Sequence, residues 1–582
     1  MRSLRTGLVA ALVGVSLLLT GCVSIPTRGR VERVEGQQQA CQNCVNVEVA
    51  PPSPGDDPRQ VVEGFLRASA NYQPSYSVAR QFLTAAAAQS WRPEDGVVIY
   101  RGTPTATDDA VRLDATVVGE LGPDRAYTAR DKRETYDFGL VRDGGEWRIG
   151  SPPAGLMVAE FRFEQFYSTY DLYFVGHNGV LVPDPIYLPA LRDPSTVASA
   201  LIKALLGGPT RWLVPAVATA IPPGTSLSVD SVTISNGVAT VPLSDTVVSL
   251  PDTERSLLAA QIVYTLKQAV PVQSVLITVD QQPFRVPECD PSSSVVSVDA
   301  VLTGHDPITP VVGTQLYVVS DRAVQLWDAG AAQLRRLSGD LGNGKVGVDA
   351  LAVSVTDTDV AAVTDSRTRL VRTTTAGATE VQEVLSGVTD LRRPQFTRFG
   401  ELWALGREDG VQKMWWVTAQ GRREVAAPAL RGRDITAFKI SPDGTRVAFL
   451  ERTSGGARLA LALITRKDPD TPTIDGWRPI DTTQSARPQL TQLRDVGWLD
   501  ATDLLVLGAA TTMDPARPYS VRQDASAVVN EGEVLDWDPV EVAVLLRTQS
   551  AVIRSGDRQV WRDQGSTWLP LVGGVTGIAY PG

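Results

Sequence analysis

Apolar residues recur along this chain in different rhythms, and each rhythm predicts a different kind of element. Leu8 to Leu19 is an almost unbroken apolar run behind Arg2 and Arg5, and it closes on Leu19-Thr20-Gly21-Cys22. A basic start, an apolar stretch of roughly 7–15 residues and a small-residue exit make a secretory leader. The run falls short of the about 20 residues that a helix needs to cross ~30 Å of hydrocarbon. No second apolar run of about 18 residues follows, so nothing else predicts a membrane span. From Pro58 the spacing is helical, with Val61, Val62, Phe65 and Leu66 on one face. A second helix is expected around residues 78–88, including Phe82 and Leu83. Alternation then predicts strands over 112–118, 134–141 and 146–149, with Arg142-Asp143-Gly144-Gly145 as a hairpin turn.

The pattern turns helical again over Pro194–Leu206, with Val197, Leu201, Ala204 and Leu205 on one face, and stops at Gly207-Gly208-Pro209. A hairpin centred on Asn236-Gly237, a helix over 253–266 and a strand over 274–280 complete that unit. Beyond about 292 the pattern is nearly all β. Short apolar strands begin at Leu316, Val360, Leu402, Val447, Leu504 and Val542. Their spacing is roughly 40–45 residues, the period of a propeller blade, with one longer gap between 450 and 504. Ile440-Ser-Pro-Asp-Gly444 reads as a turn inside one blade, and Asp495–Asp500 holds the same place in another. Val575–Tyr580 repeats the strand missing before Leu316, so the two ends of this region should share one blade and close the ring. The predicted organisation is therefore a leader (1–21), a polar tether (22–57), an α+β domain (58–185), a second α+β domain (186–290) and an all-β propeller of about six blades (291–582).

Composition narrows the functional classes. Hydrophobic residues make up 43% and charged residues 21%, ordinary for globular protein. A net charge of −10 lacks the basic footprint of a nucleic-acid binder. Cys41-Gln-Asn-Cys44 has the spacing of redox and zinc sites, but it lies in the tether without a strand-to-helix setting or a partner motif. A small surface disulfide or two free thiols are the simpler readings.

Catalytic motifs are missing from the sequence. His177 and His305 have no triad companions, and neither H-E-x-x-H nor G-x-S-x-G occurs. Gly342-Asn-Gly344-Lys345-Val346-Gly347 imitates a phosphate loop, but Val346 stands where a magnesium-binding Ser or Thr is required, and the setting is a β–β loop. Asp357/Asp359 and Asp468/Asp470 lack the remainder of a calcium loop and read as solvated turns. Trp327, Trp403, Trp415, Trp416 and Trp498 fall on blade strands and are expected to pack the propeller core. No cofactor, metal or nucleotide is expected.

Several stretches resemble known families. Leu19–Cys22 resembles the bacterial lipobox, which implies cleavage between Gly21 and Cys22 and a Cys22 carrying N-palmitoyl and S-diacylglycerol groups. The helices followed by a curved sheet ending in Trp147-Arg148-Ile149 look like the NTF2-like cone, a fold that often encloses a pocket. Leu205–Pro209, Ile221–Thr225 and Leu258–Leu266 resemble the GerMN domain. In this order, the segments resemble the LpqB lipoproteins of actinobacteria. That resemblance implies a non-enzymatic, lipid-anchored protein on the extracytoplasmic face of the cell membrane. It also implies a partner, the extracytoplasmic part of the sensor histidine kinase MtrB in the MtrA–MtrB system, which governs envelope homeostasis and division. The competing expectations are a wall-glycan binder or hydrolase using the propeller mouth, and a non-signalling envelope-assembly scaffold. Carboxylates and arginines converging on the mouth would favour the glycan reading; a plugged mouth would disfavour it.

Overall fold

In the computed structural model, which describes residues 50–582 apart from 107–109, 192, 270, 300–304, 309–312, 377–379, 419–420, 469–470, 483–488, 533–536 and 566, packing starts just ahead of the first described helix. Asp56 closes a turn on Ser53, and the Gly55 amide donates to Glu146 across 2.9 Å, so the last residues assigned to the tether already touch the body. Helix α1 (Pro58–Ala70) starts with a closed capping box. The Asp57 carboxylate accepts from the Gln60 amide, and the Gln60 side chain accepts from the Asp57 amide. Its buried face is Val61, Val62, Phe65 and Leu66, as the spacing predicts.

The second expected helix is two short ones, α2 (Ser77–Gln81) and α3 (Ala85–Ser90). Thr84 breaks the run, because its hydroxyl caps α3 at the Ala87 amide and its own amide binds the Ile149 carbonyl. The expected strand over 134–141 is likewise broken. Tyr127–Asp137 pairs with Val111–Leu121, whereas Leu140–Asp143 pairs with Glu146–Ile149, and Gly139 at φ +53° makes the corner while Phe138 dives into the core. Gly144 and Gly145 form the anticipated positive-φ turn. The cone is filled: the Phe65 ring lies 5.3 Å from Trp91 and 6.5 Å from Phe138, and the Trp91 indole donates to the Gly155 carbonyl at 3.0 Å.

After α4 (Glu160–Phe166), a long hairpin (Tyr167–Val175 with Leu181–Pro189) joins the first two domains. Tyr167 and Tyr187 belong to the first core, and Leu172, Phe174, Leu181, Ile186 and Leu188 to the second. The boundary expected at 185 therefore falls inside a strand that both cores share. Helices α5 (Pro194–Leu206) and α6 (Asp252–Leu266) pack over the sheet of the second domain. Asn236 and Gly237 turn its hairpin at positive φ, as expected. Val296–Ser297 adds to the same sheet, so this domain also extends past the expected limit at 290. Around α6, polar side chains satisfy the free edge of the long hairpin. Gln268 pairs with both backbone groups of Asp171, Gln261 donates to the Tyr173 carbonyl, and the Thr265 hydroxyl accepts from the Tyr173 amide.

Six four-stranded sheets form the remainder. Blades 2 to 6 span 348–385, 395–424, 434–480, 492–530 and 539–572. Blade 1 is built from Tyr317–Arg336 and closed by Val575–Ala579, which pairs antiparallel with Tyr317–Ser320. The long gap in the repeat is blade 4, whose third and fourth strands run to 11 and 9 residues. Trp403, Trp415, Trp416 and Trp498 are buried in the core as expected, while Trp327 is half-buried. Ile578 is fully buried where the closing strand meets blade 6. Ile578→Ala should lower propeller stability by about 2–4 kcal/mol, read as a lower urea midpoint for the all-β signal.

Candidate functional site

Each blade places the turn between its first and second strands on one face of the propeller, called here the upper face. In blade 4 that turn is Ser441-Pro442-Asp443-Gly444-Thr445, with Gly444 at φ +77°. The Asp443 carboxylate accepts from the Ser441 hydroxyl and the Thr445 amide, which fixes the loop and delivers Arg446 inward. Arg446 and Asp443 both have fully buried side chains and form an ion pair. Three further hydrogens on its terminal nitrogens reach the Ala501 carbonyl of blade 5 (2.9 Å), the Gln523 side chain of blade 5 (2.7 Å) and the Pro183 carbonyl of the interdomain hairpin (3.3 Å), while its buried Nε–H has no acceptor. One cation thus ties two blades to the second domain. Beside it is a cavity of about 20 Å³, room for one water by volume, lined by Asp184, Thr210, Trp212, Arg446, Arg478 and Gln523.

Further contacts spread the junction. The Tyr187 hydroxyl donates to Asp524 at 2.9 Å, and Arg522 donates to the Thr169 hydroxyl at 2.7 Å. Arg478 lies over the Trp212 ring at 4.2 Å, and the Trp212 indole donates to the Gly476 carbonyl at 3.0 Å. The two histidines serve the same junction. His177 meets Phe399 edge-on at 4.9 Å, and His305 Nδ1 is 2.8 Å from the Gly179 carbonyl oxygen. Three carboxyls here hold their protons unusually firmly. Burial pushes Asp171 up to about 7, helped by the neighbouring Asp500 and Asp503 charges and opposed by Arg522. Burial likewise lifts Asp184 and Asp503 to about 6.

Inside the channel the charges converge. Arg393 grips Asp495 with two bonds of 2.9 and 3.1 Å and Glu541 with one of 3.1 Å, and Glu541 is also held by Arg554 at 2.8 Å. Burial and the Arg393 charge push Lys439 down to about 7. Carboxylates and arginine meet, as the glycan reading requires, yet each is committed to another member of the ring. In the loop that imitates a phosphate site, a side chain at Gly342 would meet the Leu337 carbonyl oxygen at 1.7 Å. Lys345 is paired with Asp340 at 3.2 Å. Backbone packing accounts for that glycine. Asp357 accepts from the Tyr317 hydroxyl and Asp359 from Arg372, so these turn acids have protein partners. Among the described residues no group of three or more His, Cys, Asp or Glu could hold a metal. Cys22, Cys41, Cys44 and Asp470 lie outside the described residues, and Cys289 is a half-buried free thiol.

Three family models match consecutive parts of the chain: the N-terminal domain of lipoprotein LpqB (51–164), the sporulation and spore germination domain (171–284) and the LpqB beta-propeller domain (325–581). Relatives called lipoprotein LpqB align over most or nearly all of the chain. The Cutibacterium acnes protein is 28% identical, with 99% of each chain covered. The Streptomyces coelicolor protein is 28% identical over 86% of each, and the Thermobifida fusca protein 27% identical over 85% of this chain and 86% of its own. The chain belongs to the LpqB lipoprotein family. The first two matched models divide near 165–170, where the shared hairpin begins. Among the described residues no helix is long and apolar enough to cross a membrane. The Arg446 junction was invisible in the sequence, where only the turn ahead of it could be read; its partners lie 55, 77 and 263 residues away.

Arg446→Ala should cost about 3–5 kcal/mol, since Asp443 would be left buried without its cation; thermal unfolding of the body checks this. The junction should also respond to pH. Its carboxyls bind protons more firmly folded than unfolded, so stability is greatest at low pH and falls as pH rises through 6 and 7. Lys439 acts oppositely but only above about 7. The melting temperature should therefore fall between pH 5 and pH 7, and Asp171→Asn should flatten that slope.

Proposed function

We propose that this chain is a non-enzymatic accessory lipoprotein, anchored through a lipid on Cys22 to the extracytoplasmic face of the cell membrane. In this reading its folded body binds the extracytoplasmic domain of an MtrB-like sensor histidine kinase and modulates envelope and cell-division signalling. The observation that carries the reading is the state of the propeller. Its upper face is covered by the chain's own second domain around blades 3 to 5, and the charges of its channel neutralise one another. Recognition by exposed loops, with no turnover, is the role such a body supports. The leader and the Leu19–Cys22 signature support the anchor, since acyl chains contribute about 0.8 kcal/mol per buried methylene.

The convergence of Arg393, Asp495 and Glu541 favours the glycan reading only in a channel that opens. Calorimetry with the body from residue 50 onward and the isolated sensor domain separates the two. Saturable binding is the expected result; no heat at high micromolar concentration, together with binding of wall glycan fragments, would reverse the assignment. Cys22→Ala should move the protein from the membrane to the soluble fraction, and retention of the variant would remove the lipid anchor.

A further inference from the structure

The lower face of the propeller carries the turns between second and third strands and the links between blades. At the seam of blades 3 and 4 it presents a cluster of guanidinium groups. Asp434 is shared by Arg407 at 2.8 Å and Arg452 at 3.1 Å, and Asp390 by Arg392 at 2.8 Å and Arg407 at 3.5 Å. Two carboxylates thus serve three arginines. The Arg392 side chain is 19% exposed, and its buried Nε–H has no acceptor. Arg431, on the link into blade 4, and Arg458, on its third strand, add two exposed cations to the same end of that blade.

Exposed ion pairs contribute about 0–1 kcal/mol each, so stability alone gives little reason to crowd arginines here. Burial pulls the Arg392 pKa below its ordinary value, with the Arg367 and Arg452 charges adding to it and Asp390 and Asp434 opposing. The exposed guanidinium groups of Arg431, Arg452 and Arg458 can each take a carboxylate in two-pronged fashion. We propose that this seam docks an acidic protein segment whose carboxylates engage Arg431, Arg452 and Arg458. The segment is protein because Asp390 and Asp434 are interleaved with the cations and Asp409 is exposed nearby. A continuous anionic surface meets those acids as well as the arginines, whereas a folded partner places charges selectively. The proposal rests on the kinase reading in one respect: the segment belongs to the sensor's extracytoplasmic domain.

The test compares the wild-type body with R431E/R458E, and with R285E as an exposed control in the second domain. The probes are a fluorescent oligo-glutamate peptide, phosphatidylglycerol vesicles and the sensor domain, each at low and near-physiological salt. The peptide should bind the wild type saturably and the double variant about tenfold more weakly, with salt weakening the interaction and R285E unchanged. Equal peptide affinity in R431E/R458E overturns the proposal, and so does vesicle binding that exceeds peptide binding and is lost in the double variant. Sensor-domain binding unchanged in R431E/R458E overturns the docking site while leaving the kinase reading intact. Peptide binding without sensor binding keeps the acidic-segment site and removes the kinase.

Discussion

A charged group with no exposure must find its hydrogen-bond acceptors within the protein, and Arg446 finds them in three separate pieces of chain. Asp443 lies in its own turn, Ala501 and Gln523 belong to the next blade, and Pro183 belongs to the hairpin that the two N-terminal domains share. Taking a guanidinium out of water is costly, and only its Nε–H goes without an acceptor, so the ion requires blades 4 and 5 and the hairpin all in place. That requirement makes the geometry of the upper face all-or-none. The aromatic and polar contacts around it, from Trp212 to Phe399, hold an arrangement that the arginine specifies.

The same requirement shows why part of the molecule was legible in the sequence and part was not. Elements governed by local rules came through: the helix begun at Pro58, the Gly144-Gly145 and Asn236-Gly237 turns, the blade repeat, and the closing strand at Val575. Errors occurred where tertiary bonds overruled local pattern. Phe82 and Leu83 continue a helical rhythm, yet Thr84 and Ile149 divert the chain into two helices. Phe138 and Gly139 interrupt alternation that would otherwise continue. The hairpin over 167–189 defeated a boundary reading because its side chains serve two cores, a property with no linear signature.

Several motifs in the sequence come close to known sites, and the structure supplies a physical reason for each of those residues. Gly342 is small because the Leu337 carbonyl lies against it, and Lys345 answers Asp340. His177 and His305 sit at an interdomain contact. The carboxylates that do gather, Asp495 and Glu541, are clamped by Arg393 and Arg554. The three-domain architecture of the LpqB family is thus a body whose polar groups are largely turned on one another, with its lower face left to solvent.

The closing of blade 1 has a consequence for how the protein is made. Val575–Ala579 pairs with Tyr317–Ser320, residues 255 to 262 positions apart, so the ring stays open until the strand at Val575 has been synthesised. The N-terminal domains emerge first and pack around cores of their own, while the upper face waits for blades 4 and 5. Chain order therefore becomes assembly order: the N-terminal domains mature early, and the final strand locks a ring whose other blades are already in position.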